Sequence, residues 1–229
     1  MASRPTIFLF DIDGTLLLTG GCGRRAFEHA FDHITGQRGA LDGFSFGGMT
    51  DRAIARMGLT AIGRAADPAV VDQLLEAYLE ALARELVTPP NFVVLPGAHE
   101  AVRALSGRER TALGLGTGNV RRGAQAKLAY ADLWHLFSFG GFGCDHEDRA
   151  ELLRAGALRG AAQLGEPLAA CRIVVIGDTV RDIAAAHAIG AECIAVCTGG
   201  DSAEKLRAQG ADAVFESLLH TDLLAALVG

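Results

Sequence analysis

Thr6-Ile-Phe-Leu-Phe-Asp-Ile-Asp-Gly-Thr-Leu-Leu-Leu18 is the stretch from which the rest of the chain can be read. Its first five residues are β-branched, aromatic or aliphatic and uninterrupted, the pattern of a strand buried on both faces in a parallel sheet. The run stops abruptly at Asp11, Asp13, Gly14 and Thr15. Period-2 alternation sends Asp11 and Asp13 to one side of the chain and Ile12 to the other. Two carboxylates at the carboxyl end of a buried strand repel and shift each other's pKa unless a cation or a shared proton intervenes. Open α/β sheets hold their ligands at that end. A plain turn, for which Asp-Gly is a common dipeptide, does not explain a carboxylate set hard against the apolar run.

The remaining chain supports this reading. Half of the 229 residues are hydrophobic, with Ala, Leu and Gly prominent, as in a globular α/β protein. A formal charge of −6 argues against non-specific nucleic-acid binding but leaves room for an anionic substrate beside a bound cation. Five cysteines without a C-x-x-C pair argue against a zinc site or disulfide framework and suggest a reducing compartment. The N-terminal Met-Ala-Ser-Arg-Pro leaves no room for a signal peptide, and no apolar run approaches the ~20 residues of a membrane span, so a cytoplasmic protein is expected.

After Leu18 the pattern turns helical. Thr19–Gly23 reads as a flexible loop and Arg24–Thr35 as a helix, with Ala26, Phe27, Ala30, Phe31 and Ile34 on one face. Thr50-Asp51 can cap a short helix from Arg52, and Pro68 opens a longer one to Leu86. Thr88-Pro89-Pro90 ends the block as a stiff linker. Residues 19–88 are therefore expected to be a helical cap inserted into a core of residues 1–18 and 89–229. From Val93 onward strands and helices alternate, with strands expected at 112–116, 137–139, 173–176, 193–196 and 213–215 and a helix over 149–164. That alternation implies a Rossmann-like α/β core, a parallel sheet with helices on both faces. Trp134, Phe137 and Phe139 are expected in its interior.

Three of the expected strands end in polar clusters: Asp11/Asp13/Thr15, Thr117/Asn119 and Asp178/Thr179/Asp182. Side by side in one sheet, they converge on one crevice. Hard oxygen ligands without His or Cys suit Mg²⁺, and a metal, a carboxylate nucleophile and hydroxyl donors make a phosphoryl-transfer site.

On these residues the chain resembles the haloacid dehalogenase-like hydrolases, in the branch of phosphoglycolate phosphatases and β-phosphoglucomutases that carries a helical cap after the first strand. Asp-Ile-Asp-Gly-Thr at 11–15 is similar to the first motif, Thr117-Gly118-Asn119 to the second, and Gly177-Asp178-Thr179-Val180-Arg181-Asp182 to the fourth. The resemblance implies that Asp11 is the nucleophile and Asp13 the general acid and base. It implies that Asp11, Asp178 and the backbone carbonyl of Asp13 bind Mg²⁺ with Asp182 in support, and that Thr117, Gly118 and Asn119 hold the phosphoryl oxygens. In the insert, Phe46-Gly-Gly-Met-Thr-Asp51 resembles the branch's Gly-x-Thr-Asp segment, which implies a substrate contact at Thr50.

The third motif departs. The family's usual Lys is absent from Cys144–Leu152, and Arg149 is the natural substitute, a guanidinium able to hold Asp11 and a phosphoryl oxygen together. Lys127 is the competitor but reads as a solvated mid-helix side chain. The activity implied is Mg²⁺-dependent hydrolysis of a small phosphorylated metabolite, without nucleic-acid or membrane partners. A phosphomutase would use Asp11 and Asp13 in the same way. A dehalogenase would leave Asp13 and Asp178 unexplained, a phosphonatase needs a Lys that residues 19–88 lack, and a non-catalytic module would have no use for the full carboxylate set.

Overall fold

The structure is a computed structural model that describes residues 4–228. Strand β1, Thr6–Phe10, lies at the centre of a six-stranded sheet. The others are β4 (Thr111–Thr117), β5 (Phe139–Phe142), β6 (Arg172–Gly177), β7 (Glu192–Val196) and β8 (Ala213–Phe215). Their order is β5-β4-β1-β6-β7-β8, all parallel. The register sets Phe10 beside Leu115 of β4 and Ile176 of β6, so the polar clusters that follow β4, β1 and β6 open side by side.

Both faces of the sheet are covered, which is why Ile7–Phe10 of β1 are all apolar. Phe8, Phe10 and Ile12 join Leu113, Leu115, Val174 and Ile176 in one buried cluster, while Ile7 and Leu9 join Ala112 and Val175 in another. On the second face lie α6 (Arg149–Leu164) and α7 (Val180–Ala188), which contribute Leu152, Leu153 and Ile183. The first face is covered by α4 (Ala98–Leu105), α5 (Arg121–Tyr130) and α9 (Thr221–Val228), and α8 (Ala203–Ala208) precedes β8.

Between β1 and α4 the chain leaves the sheet as three helices, α1 (Cys22–Thr35), α2 (Asp51–Ala61) and α3 (Pro68–Glu85). They pack around their own interior of Phe27, Phe31, Leu41, Leu59, Leu74 and Tyr78. Thr50 caps α2 by accepting the Ala53 N–H. The two chain crossings are joined by a short antiparallel pair, β2 (Leu17–Leu18) with β3 (Val93–Val94). Two-residue strands carry too little periodicity to show in a sequence. Helix α1 also begins earlier than its apolar pattern indicates, because Gly21 supplies a left-handed turn (φ 86°) that starts the helix at Cys22 inside the expected loop.

The edge strand differs from expectation. Residues 137–139 were the aromatic signal, yet the paired strand is Phe139-Gly-Gly-Phe142, and a 3₁₀ turn at Trp134–Leu136 precedes it. Gly141 is there because α6 lies directly on the strand, since a Cβ would sit 1.8 Å from the Leu152 carbonyl oxygen, whereas a Cβ on Gly140 would meet the Phe142 ring at 2.8 Å and Leu115 of β4 at 2.9 Å. Phe137 is buried, whereas Trp134 and Phe139 are only half-buried. No described helix is long and apolar enough to cross a membrane.

Candidate active site

The site forms where β1 and β6 stop. Asp11, first residue after β1, is 4% exposed, and its backbone N–H still donates to the Ile176 carbonyl (2.9 Å). Asp178 follows β6 and accepts the Thr15 hydroxyl at 3.0 Å. Asp182 lies one turn into α7 as the closing half of a capping box with Thr179. These three buried carboxylates each offer an oxygen within 4.8 Å of the others.

One buried cation faces them. Arg149, at the first position of α6, brings Nη2 to 2.9 Å from Asp11 and 2.5 Å from Asp182, and its Nε donates to Asp182 at 2.9 Å. Burial alone would lower the guanidinium's pKa, but the Asp11 and Asp182 carboxylates lift it above its ordinary value. One positive charge does not balance three negative ones. Burial pushes Asp11 up to about 6, with Arg149 opposing and Asp182 and Asp13 adding. Burial, followed by Asp182 and Asp11, pushes Asp178 up to about 8.

The set fits a hard cation. All of its donors are oxygen, it carries excess negative charge, and one Asp178 oxygen has no hydrogen bond among the described residues. Backbone crowds that side chain, since a Cβ on Gly199 would lie 1.6 Å from Asp178 Oδ2 and one on Gly14 2.3 Å from it. Both oxygens of Asp182 are occupied, Oδ1 by Arg149 and Oδ2 by the Thr179 N–H and hydroxyl. Its role in this arrangement is to anchor Arg149 and α7.

Asp13 turns to different partners. The Lys127 ammonium contacts both of its oxygens (2.9 and 2.7 Å), and the Asn119 amide donates to one of them at 2.8 Å. Lys127 also donates to Asn119 Oδ1 at 2.7 Å, and Asn119 donates to the Thr117 hydroxyl oxygen at 2.9 Å. Lys127 is therefore not a solvated side chain: it is 4% exposed and buried against the site. Arg149 takes Asp11 and Lys127 takes Asp13, so the two cations that the sequence sets in competition serve different carboxylates.

Above these groups the three-helix insert covers a cavity of about 170 Å³. Asp11, Asp13, Thr117, Gly118, Asn119 and Arg149 form its floor. The insert supplies Arg24, Phe27, Phe46, Asp51 and Tyr78 to its roof. The roof touches the floor directly: Asp51 N–H donates to the Gly118 carbonyl at 2.9 Å, and the Val120 N–H donates to Asp51 Oδ2 at 2.8 Å. A Cβ on Gly118 would meet the Met49 carbonyl oxygen at 2.2 Å, which explains a glycine there. Burial pushes Asp51 up to about 7 against the opposing charge of Lys127.

Thr50, expected at the substrate, lies outside the cavity wall. Its hydroxyl donates to the Glu147 carbonyl at 3.1 Å while its oxygen caps α2, and the neighbouring Asp51 faces the cavity instead. Of the insert's Arg24, Arg25 and Arg52, only Arg24 lines it, since Arg25 pairs with Glu85 and Arg52 with Asp72, each at 2.7 Å. Tyr78 was legible only as one member of α3's apolar stripe. Lys127 carried one usable signal, an isolated Lys beside Gly123, Ala124 and Leu128 on the otherwise uncharged buried face of α5.

A haloacid dehalogenase-like hydrolase model matches residues 5–190, and the chain belongs to that family. Solved structures share the fold along essentially the whole length. A hydrolase from Pseudomonas syringae is 24% identical with a TM-score of 0.71, covering 97% of both chains. A predicted phosphoglycolate phosphatase from Haemophilus somnus is 18% identical (TM-score 0.71, 99% of both chains), and a predicted phosphatase from Clostridium acetobutylicum is 17% identical (TM-score 0.72, 99% of both chains). No curated protein matches the chain.

Proposed function

We propose that this hydrolase is a Mg²⁺-dependent phosphatase that cleaves a small phosphate monoester through an aspartyl-phosphate on Asp11. The observation that carries this is the pairing of Asp11 with Arg149 at 2.9 Å inside a three-carboxylate cluster beneath a cavity that the insert covers. Asp11, Asp178 and the backbone carbonyl of Asp13 would hold Mg²⁺, which offsets the repulsion between the Asp11 carboxylate and an anionic phosphate.

Asp11 attacks phosphorus as the ester P–O bond breaks, and the leaving oxygen takes a proton from the Asp13 carboxyl. Asp13, now a carboxylate, removes a proton from water, and the resulting hydroxide oxygen attacks the aspartyl-phosphate. Inorganic phosphate leaves and the Asp11 carboxylate is restored. Arg149 orients the nucleophile and faces the phosphoryl oxygens, while the Thr117 hydroxyl and the amides at Gly118 and Asn119 provide donors that need no rearrangement. Residues 19–88 act as a lid whose closure keeps bulk water from the first step.

The test is turnover of an aryl phosphate with and without Mg²⁺, in the native protein and in Asp11→Asn. Metal-dependent release by the native protein and its abolition in a folded Asp11→Asn protein are expected. Near-normal single-turnover release by that variant would remove the assigned nucleophile.

A further inference from the structure

The roof of the cavity identifies what the leaving group carries, given the phosphatase reading above. A substrate with a second anion, such as a carboxylate, needs a cation with donors to offer. Three cations line the cavity among the described residues, and each is already engaged. Arg149 holds Asp11, Asp182 and the Gly48 carbonyl. The three contacts of Lys127, two to Asp13 and one to Asn119, match the three donors of an ammonium. Arg24 Cζ lies 4.1 Å from the Phe46 ring centroid, its two Nη atoms donate to the carbonyls of Leu41 and Phe44 at 3.3 and 2.5 Å, and Nη1 lies 4.0 Å from Glu28 Oε1.

The unengaged polar atoms of the roof are of another kind. Tyr78 is 1% exposed and stacked on Phe27 with ring centroids 4.0 Å apart and planes 15° apart. Its hydroxyl has no hydrogen bond among the described residues, and Tyr78 lines the cavity. Asp51 uses Oδ2 for the Val120 N–H, and its other oxygen has no partner among those residues. A hydroxyl and a carboxyl oxygen that open on the cavity without a protein partner are available to a ligand, and a ligand hydroxyl, which both donates and accepts, satisfies both. A ligand carboxylate meets the Asp51 carboxyl, and the cations that line the cavity already hold protein acceptors. At about 170 Å³ the space lies well below the pockets that hold drug-sized ligands, and suits a phosphoryl group on a short chain.

We propose that the Tyr78 hydroxyl and the free Asp51 oxygen form a hydroxyl-reading subsite, so that the substrate is a short polyol phosphate and not a phosphorylated carboxylic acid. The subsite should make Tyr78 a determinant of discrimination, beyond its place in the insert's core.

Three probes of similar size separate the possibilities: glycerol 3-phosphate, 1-propyl phosphate, which lacks the hydroxyls, and phosphoglycolate, which carries a carboxylate. Their dissociation constants are measured with Mg²⁺ on Asp11→Asn, where binding is separated from turnover, and their kcat/KM values on the native protein. Glycerol 3-phosphate should lead 1-propyl phosphate by about tenfold or more, the scale of one or two hydrogen bonds, and phosphoglycolate should be weakest. Tyr78→Phe keeps the ring and should shrink the glycerol-to-propyl ratio by about tenfold at an unchanged melting temperature. The proposal falls if phosphoglycolate leads and loses its lead in Arg24→Met, or if Tyr78→Phe weakens all three probes equally. If the binding order holds while no phosphate ester is turned over, the subsite stands and the phosphatase reading fails.

Discussion

Replacing Arg149 by Ala tests the centre of the site. The native guanidinium is 8% exposed and contacts Asp11 at 2.9 Å and Asp182 at 2.5 and 2.9 Å, with Asp182 fully buried. Removing it leaves three buried carboxylates without a counter-charge, and breaking one such pair costs about 3–5 kcal/mol. At about 2–4 °C per kcal/mol for a chain of this size, the metal-free melting temperature should fall by roughly 6–20 °C. Mg²⁺ should recover part of the loss, because the cation binds the charge that Arg149 no longer balances. Phosphoryl transfer at saturating Mg²⁺ should still drop by about 10²–10³-fold, the usual effect of losing a preorganised electrostatic donor. Arg149→Lys should recover less than half of the stability loss, since a single ammonium cannot reproduce Nε and Nη2 bridging two carboxylates. Calorimetry in chelator and in Mg²⁺, with single-turnover kinetics on an aryl phosphate, measures both effects. An Ala variant that melts within ~2 °C of the native protein and transfers phosphate within ~3-fold would refute the reasoning.

Three further outcomes follow from the same contacts. Asp178→Ala should abolish Mg²⁺ binding while raising metal-free stability, whereas Asp182→Ala should lower stability and weaken the metal less, because Asp182's oxygens are held by Arg149 and Thr179. Metal titration and melting of both variants check this; parallel losses would count against it. Lys127→Met should reduce turnover by about 10–100-fold, the range expected for a charged hydrogen bond. The loss should be larger for an alkyl phosphate, whose leaving oxygen needs a proton, than for an aryl phosphate, and equal losses would mean that Lys127 does not serve Asp13. Metal-free stability should decline between pH 5 and pH 8. Folded Asp11 (about 6) and Asp178 (about 8) hold protons more tightly than the ordinary 3.8, so their stabilisation is full below that value and is lost as pH rises through each folded pKa. Mg²⁺ should raise the melting temperature more at pH 8 than at pH 5, and a flat metal-free profile would contradict these shifts.

Much of the architecture was legible because local rules report it. The apolar run Thr6–Phe10 ending in two aspartates marked a doubly covered strand with a ligand at its tip, and the helix expected over 149–164 is α6, Arg149–Leu164. The edge strand was not legible, since Gly140 and Gly141 look like a loop until α6 is seen resting on Gly141 and β4 lying beside Gly140. Periodicity shows which face of an element is buried, not what it is buried against. That is why Lys127 read as a solvated residue and Tyr78 as one more apolar position. Only strand order, which places β4, β1 and β6 side by side, brings Lys127 to Asp13 and Arg149 to Asp11. Only the closure of the insert over the strand ends turns Asp51 and Tyr78 toward the same cavity. The sequence by itself determined the chemistry at the tips of the strands, because each cluster lies within a few residues of chain. The tertiary structure decided which charge neutralises which and what roofs the site, because those contacts join residues up to a hundred positions apart or more, whose spacing leaves no trace in any local pattern.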